Sequence, residues 1–147
     1  MSLLEQIRKD MISSLKSGEK DRNQILKMVL AILKNTQIEI GEELKDIEVE
    51  KILRRETKKI EDSIEQFTKM GRDDLVSKEK ADLEVIKSYL SELMSDEDVK
   101  KIVEDKISQL ETQDIRDMGK VMGVVMKELD GKADGNTVKN IVQELLS

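Results

Sequence analysis

Asp117-Met118-Gly119-Lys120-Val121-Met122-Gly123, followed by Gly131-Lys132-Ala133-Asp134-Gly135-Asn136-Thr137, is the stretch on which the fold turns. Read as helix, it carries Met118, Val121, Met122, Val125 and Leu129 at helical spacing, with Asp114 or Asp117 starting it and Gly131 closing it. The helical reading makes the glycines conspicuous. Gly119 and Gly123 stand at i and i+4 on one helix face, and each costs about 1 kcal/mol against Ala in a helix interior. Close approach offsets such a cost, because bare backbone admits a neighbouring helix or a sugar-phosphate strand nearer than side chains allow.

Two expectations follow for this segment, and they can hold together. One is a close helix crossing set by Gly119. The other is a phosphate backbone received beside Gly123, which Lys120 and Lys127 flank at i−3 and i+4, with Lys132 just beyond the helix. Residues 131–137 resemble a nucleotide loop only superficially. A Walker loop needs a strand before it and Lys-Ser/Thr at its end, and neither is present. Gly131 reads instead as the close of the glycine-bearing helix and Gly135 as part of the same structural motif, with Asp134 as the cap of a last helix with Val138, Ile141, Val142 and Leu145 inward.

Working outward, the remainder of the 147 residues reads as amphipathic helix. There is no Pro, Cys, His or Trp, and Phe67 and Tyr89 are the aromatic residues. With 37% apolar and 39% charged residues, the composition favours long, surface-charged helices over sheet. We expect an all-α protein, with a helical domain of about four helices over residues 1–93 and a small three-helix domain over residues 94–147.

Ser2 and Glu5 have the form of a capping box, and Leu3, Leu4, Ile7, Met11 and Leu15 follow at helical spacing up to the stop at Gly18. A central helix runs from about Lys20 to Ile40, with Ile25, Val29, Ile32, Leu33 and Ile40 inward and Gly41 as terminator. Asp46 is the expected cap of the third helix, whose inward residues are Val49, Leu53, Ile60, Ile64 and Phe67. Asp73 is the expected cap of the fourth, with Leu75, Leu83, Ile86, Leu90 and Leu93 inward. Ser95 caps the fifth, where Asp96, Glu97 and Asp98 suit the dipole of the first turn.

The outer face of the third helix gathers Lys51, Arg54, Arg55, Lys58 and Lys59. A solvated face stitched by pairs such as Glu50 with Arg54 is the plainer reading. A second phosphate-contacting patch at Lys51, Arg55 and Lys58 is the functional one.

The absences narrow the chemistry. Without Cys or His there is no thiol nucleophile, imidazole base, zinc site or disulfide, and no metal or cofactor is expected. The acidic clusters lack the spacing of a calcium loop. Scarce aromatics make base stacking an improbable mode of recognition, so contact with RNA would use backbone and shape. The longest apolar run, residues 28–33, is too short to span a membrane or form a signal core, and the expectation is a soluble, unprocessed, cytoplasmic protein. A net charge of −6 disfavours indiscriminate attraction to nucleic acid, so any RNA binding needs a local basic face.

Residues 118–123 and 131–135, with Gly71-Arg72-Asp73-Asp74-Leu75-Val76-Ser77-Lys78-Glu79 and Tyr89-Leu90, resemble the GatB/YqeY family over essentially the whole chain. The family comprises stand-alone YqeY-like proteins and the homologous tail domain of the B subunit of tRNA-dependent amidotransferases. The resemblance implies a helical N-terminal domain and a small C-terminal domain associated, in amidotransferases, with the outer corner of tRNA. It also implies that the family's carbon-nitrogen ligase activity, with glutamine as amido donor, resides in other domains and subunits. The chain would then be a non-catalytic accessory protein in translation, with tRNA as partner and an amidotransferase or aminoacyl-tRNA synthetase subunit as a further one. The alternative is a protein-interaction module that docks on such an enzyme without touching RNA. In one place the chain departs from the pattern: relatives typically have Pro after the Tyr-Leu pair, and Ser91 leaves the joint without that rigidity.

Overall fold

The computed structural model describes residues 1–147, and it is all-α. Its helices are α1 (Leu3–Ser17), α2 (Lys20–Ile40), α3 (Asp46–Lys69), α4 (Asp73–Lys87), α5 (Asp96–Gln109), α6 (Met118–Leu129) and α7 (Gly135–Leu146), with a 3-10 turn at Ile115–Asp117 before α6. The chain divides into two compact units, Met1–Ser91 and Glu92–Ser147. No helix is long and apolar enough to cross a membrane.

In the N-terminal unit, α1 packs chiefly on α2, and α3 on α4. Ile7, Leu26, Val29, Leu33, Val49, Leu53 and Ile86 are at most 2% exposed and form the centre of the core. Helix ends follow local chemistry. Ser2 Oγ accepts from Glu5 N–H at 3.2 Å while Glu5 Oε2 accepts from Ser2 N–H at 3.1 Å, so the capping box closes from both sides. Gly18 stops α1 in the left-handed region at φ 77°, a conformation that a side chain would oppose.

Several details differ from the sequence reading, each for a physical reason. Asp46 does not cap its own helix: it is the first residue of α3, and its Oδ1 accepts from Leu3 N–H of α1 at 2.9 Å. The start of α3 is closed by Glu48, which accepts from Lys45 N–H at 3.1 Å. Asp73 likewise lies inside α4, behind Arg72 at the N-cap position. The fourth helix stops at Lys87, so Leu90 enters the core from irregular chain and Leu93 is exposed. Leu15 and Ile40 also face solvent; in the last turn of α1 it is Ser14, 1% exposed, that takes the inward position, and Leu15, one 100° step on, is turned out. Apolar periodicity gives no sign of the polar burial at Asn23, whose amide donates to Met11 O at 2.9 Å and Ser14 Oγ at 3.3 Å. This ties α2 to the end of α1 and satisfies groups that burial would otherwise penalise.

The C-terminal unit is built from α5, α6 and α7, each packed on the other two. Val99 and Val103, then Val121, Val125 and Leu129, then Val138, Val142 and Leu146 recur at helical spacing and form its core. Ser95 caps α5 by accepting from Asp98 N–H at 3.2 Å.

Candidate nucleic-acid interface

Val121, Val125 and Leu129 define the buried side of α6. Gly119 and Gly123 each precede a buried valine by two residues, which is about 200° around a helix. They therefore lie opposite the core, not beside it. Both are exposed, and a Cβ built on either would meet nothing within 4 Å. The close helix crossing expected at Gly119 is thus corrected: no intramolecular neighbour approaches these glycines. Apolar positions next in sequence suggest a shared face, but the 100° step carries the glycines away from it.

Lys120 and Lys127 are exposed on this outer side. Seven residues apart, they return to nearly the same angle about 10 Å along the axis. Glu128, beside Lys127, is engaged by Lys106 Nζ at 3.1 Å, which removes one carboxylate from competition. One turn before Lys120 stands Arg116, which the sequence reading does not single out. Its guanidinium is held by Asp114 at 2.7 and 3.0 Å, and the same contacts keep the Asp114 carboxyl below its usual range. The spacing Asp-x-Arg at a helix start is the available signal for that local pairing.

Beyond α6 the chain makes a tight, well-bonded turn. Gly131 adopts φ 80°, Lys132 N–H and Ala133 N–H donate to Leu129 O at 2.9 and 3.1 Å, and Lys132 O accepts from Met94 N–H at 3.0 Å. The Lys132 side chain is exposed on this fixed backbone. Asp134 takes the N-cap position of α7 but its side chain makes no capping hydrogen bond to the helix backbone; Thr137 Oγ1 donates to its carboxylate at 3.4 Å instead, and Gly135 is the open first residue of the helix.

The basic arc on α3 is smaller than its sequence suggests. Arg55 and Lys58 are exposed and Lys51 is half-buried, with Lys51 and Lys58 each engaged by a neighbour. Lys59 pairs with Glu56 at 3.1 Å. Arg54 is drawn out of the arc, donating from Nη2 to Ser91 O at 2.6 Å.

Burial, reinforced by Glu79, pushes the Asp82 carboxyl above its usual range, but Asp82 lines neither of two surface grooves. One groove, of about 700 Å³, has Ile107 and Leu145 with Glu104 and Glu111; the other, of about 620 Å³, has Ile64 and Leu83 among mixed charges. No group of three His, Cys, Asp or Glu side chains is placed to hold a metal ion.

A family model described as "Yqey-like protein" matches residues 4–146. The chain belongs to this family. A protein of Pyrenophora tritici-repentis named "Altered inheritance of mitochondria protein 41, mitochondrial" is 26% identical over 147 residues, covering 98% of this chain and 81% of that one. A protein of the same name in Candida glabrata is 27% identical over 132 residues, covering 87% of this chain and 69% of its own length. A Methanobrevibacter smithii protein, named as a subunit of glutamyl-tRNA(Gln) amidotransferase, is 45% identical over 56 residues, which is 35% of this chain and 9% of that protein.

These relatives overturn the cytoplasmic expectation, since the fungal proteins are named as mitochondrial. The features behind that expectation could not discriminate: a cysteine-free chain suits oxidising and reducing compartments alike, and the lack of a long apolar run does not tell one compartment from another.

Proposed function

We propose that this chain is a non-catalytic accessory protein that binds tRNA through the outer face of α6. One observation carries the reading: Gly119 and Gly123 leave a strip of exposed helix backbone with no neighbour, flanked by Lys120 and Lys127. Together the two exposed glycines cost about 1–2 kcal/mol of helix stability, the larger share at the interior Gly123, and no close packing at either position offsets it. An external partner that needs close approach does offset it. A sugar-phosphate backbone fits, because lysines supply the counter-charge and bare peptide admits the strand. Lys132, just past the helix, extends the track.

Similarity to a protein named as a glutamyl-tRNA(Gln) amidotransferase subunit supports tRNA as the ligand, and membership of the family fits an accessory role. The fungal relatives' names favour mitochondria as the setting. Lys51, Arg55 and Lys58 form a weaker second patch, since two of them already have partners. Docking on an amidotransferase or synthetase without RNA contact is the second reading, favoured by the net charge of −6.

The test is tRNA binding by fluorescence anisotropy across a salt series. Wild type should bind with an affinity that falls steeply with salt, and a Lys120→Ala, Lys127→Ala, Lys132→Ala variant should lose up to about three units of log-log slope. Gly123→Leu should weaken binding at constant net charge. Absence of binding at low salt would sink the RNA reading and leave protein docking.

A further inference from the structure

The chain leaves the N-terminal unit under restraint. Past the end of α4, Tyr89 Oη donates to Asp10 Oδ2 at 2.6 Å, and Leu90 packs against the apolar core. Ser91 is then held by two side chains of α3. Its backbone N–H donates to Glu50 Oε1 at 2.9 Å and its hydroxyl to Glu50 Oε2 at 3.0 Å. Its carbonyl accepts from Arg54 Nη2 at 2.6 Å. Glu50 and Arg54 stand one turn apart on α3, so a single helix face addresses the N–H, the O–H and the C=O of one residue.

The next anchored residue is Met94, whose N–H donates to Lys132 O within the C-terminal unit. Glu92 and Leu93, both exposed, are what lies between.

We propose that Glu50 and Arg54 form a latch on Ser91 that confines the free chain between the two units to Glu92 and Leu93. Hydrogen bonds to ionised groups are roughly twice as strong as neutral ones, which is what an exposed latch needs against competition from water. The cost of the arrangement is visible at Arg54, whose Nε is buried without a hydrogen-bond partner. A guanidinium left in the basic arc would have kept that nitrogen hydrated, so the bond to Ser91 is what draws it in. The latch supplies at Ser91 a restraint that the residue type alone does not provide.

Amide exchange read by NMR, with limited proteolysis by an enzyme that cuts after acidic residues, tests the proposal on the full chain. In wild type the Ser91 amide should exchange about tenfold or more slowly than that of Glu92. Glu50→Ala should abolish that difference and speed cleavage after Glu92 severalfold, while the Ile86 and Met94 amides keep their protection. Arg54→Ala should also speed cleavage, but it should leave Ser91 better protected than Glu50→Ala does, because the acceptor for the N–H is intact. Ser91 exchanging as fast as Glu92 in wild type would overturn the latch. So would equal loss of protection at Ile86 in Glu50→Ala, which would make Glu50 a support of the whole unit.

Discussion

At the scale of single residues, the same substitution has opposite signs at different glycines. Gly18 sits at φ 77°, so Gly18→Ala should cost about 1 kcal/mol. Gly119 and Gly123 are helical with open space at the Cβ position, so Ala at Gly123 should stabilise the C-terminal unit by about 0.5–1 kcal/mol, and at Gly119, in the first turn, by no more than that. Urea midpoints of the three variants check this; a loss at Gly119→Ala would mean that an unseen contact occupies that face. Tyr89 gives a pH-dependent case. Burial first, then its bond to Asp10, raises the hydroxyl above its usual range, with Arg22 opposing in part. The folded chain then holds this proton more tightly than the unfolded chain, so the contribution is whole below about pH 10 and is lost as pH rises from there. Tyr89→Phe should cost about 1 kcal/mol at neutral pH and flatten the alkaline fall in stability. An equally steep fall in the Phe variant would show that other groups drive it.

At the scale of elements, helix starts and stops were legible where one residue decides them. Ser2 with Glu5, Gly18, Gly41 and Ser95 act through their own side chain or backbone, and the local sequence contains the whole cause. Ser95→Ala should therefore cost about 1 kcal/mol, read as a lower midpoint for the C-terminal unit, and no change there would remove the cap from the account. What the sequence concealed depends on partners distant along the chain. Asp46 turns to Leu3, Arg54 to Ser91 and Asn23 to Met11, each across a gap that periodicity cannot see. The α6 face was half legible: the lysines and glycines stood out, but the expected crossing at Gly119 failed because adjacency in sequence is not adjacency around a helix.

At the scale of the whole molecule, each unit has a core of its own, centred on residues such as Leu33 in one and Leu129 in the other. Composition provides a probe that separates them. Tyr89 is the single tyrosine, tryptophan is absent, and Tyr89 lies in the Met1–Ser91 unit, so tyrosine fluorescence follows that unit while helical circular dichroism follows both. Leu129 is 1% exposed, and Leu129→Ala removes buried methyl groups at a cost of about 2–5 kcal/mol, depending on how far the site collapses. If the units unfold separately, this variant should shift part of the dichroism curve to lower urea and leave the tyrosine curve in place. Leu33→Ala should do the reverse, moving the tyrosine curve together with the larger part of the dichroism. Two curves displaced equally by Leu129→Ala would mean one cooperative transition, since only then does damage in one core reach a reporter in the other.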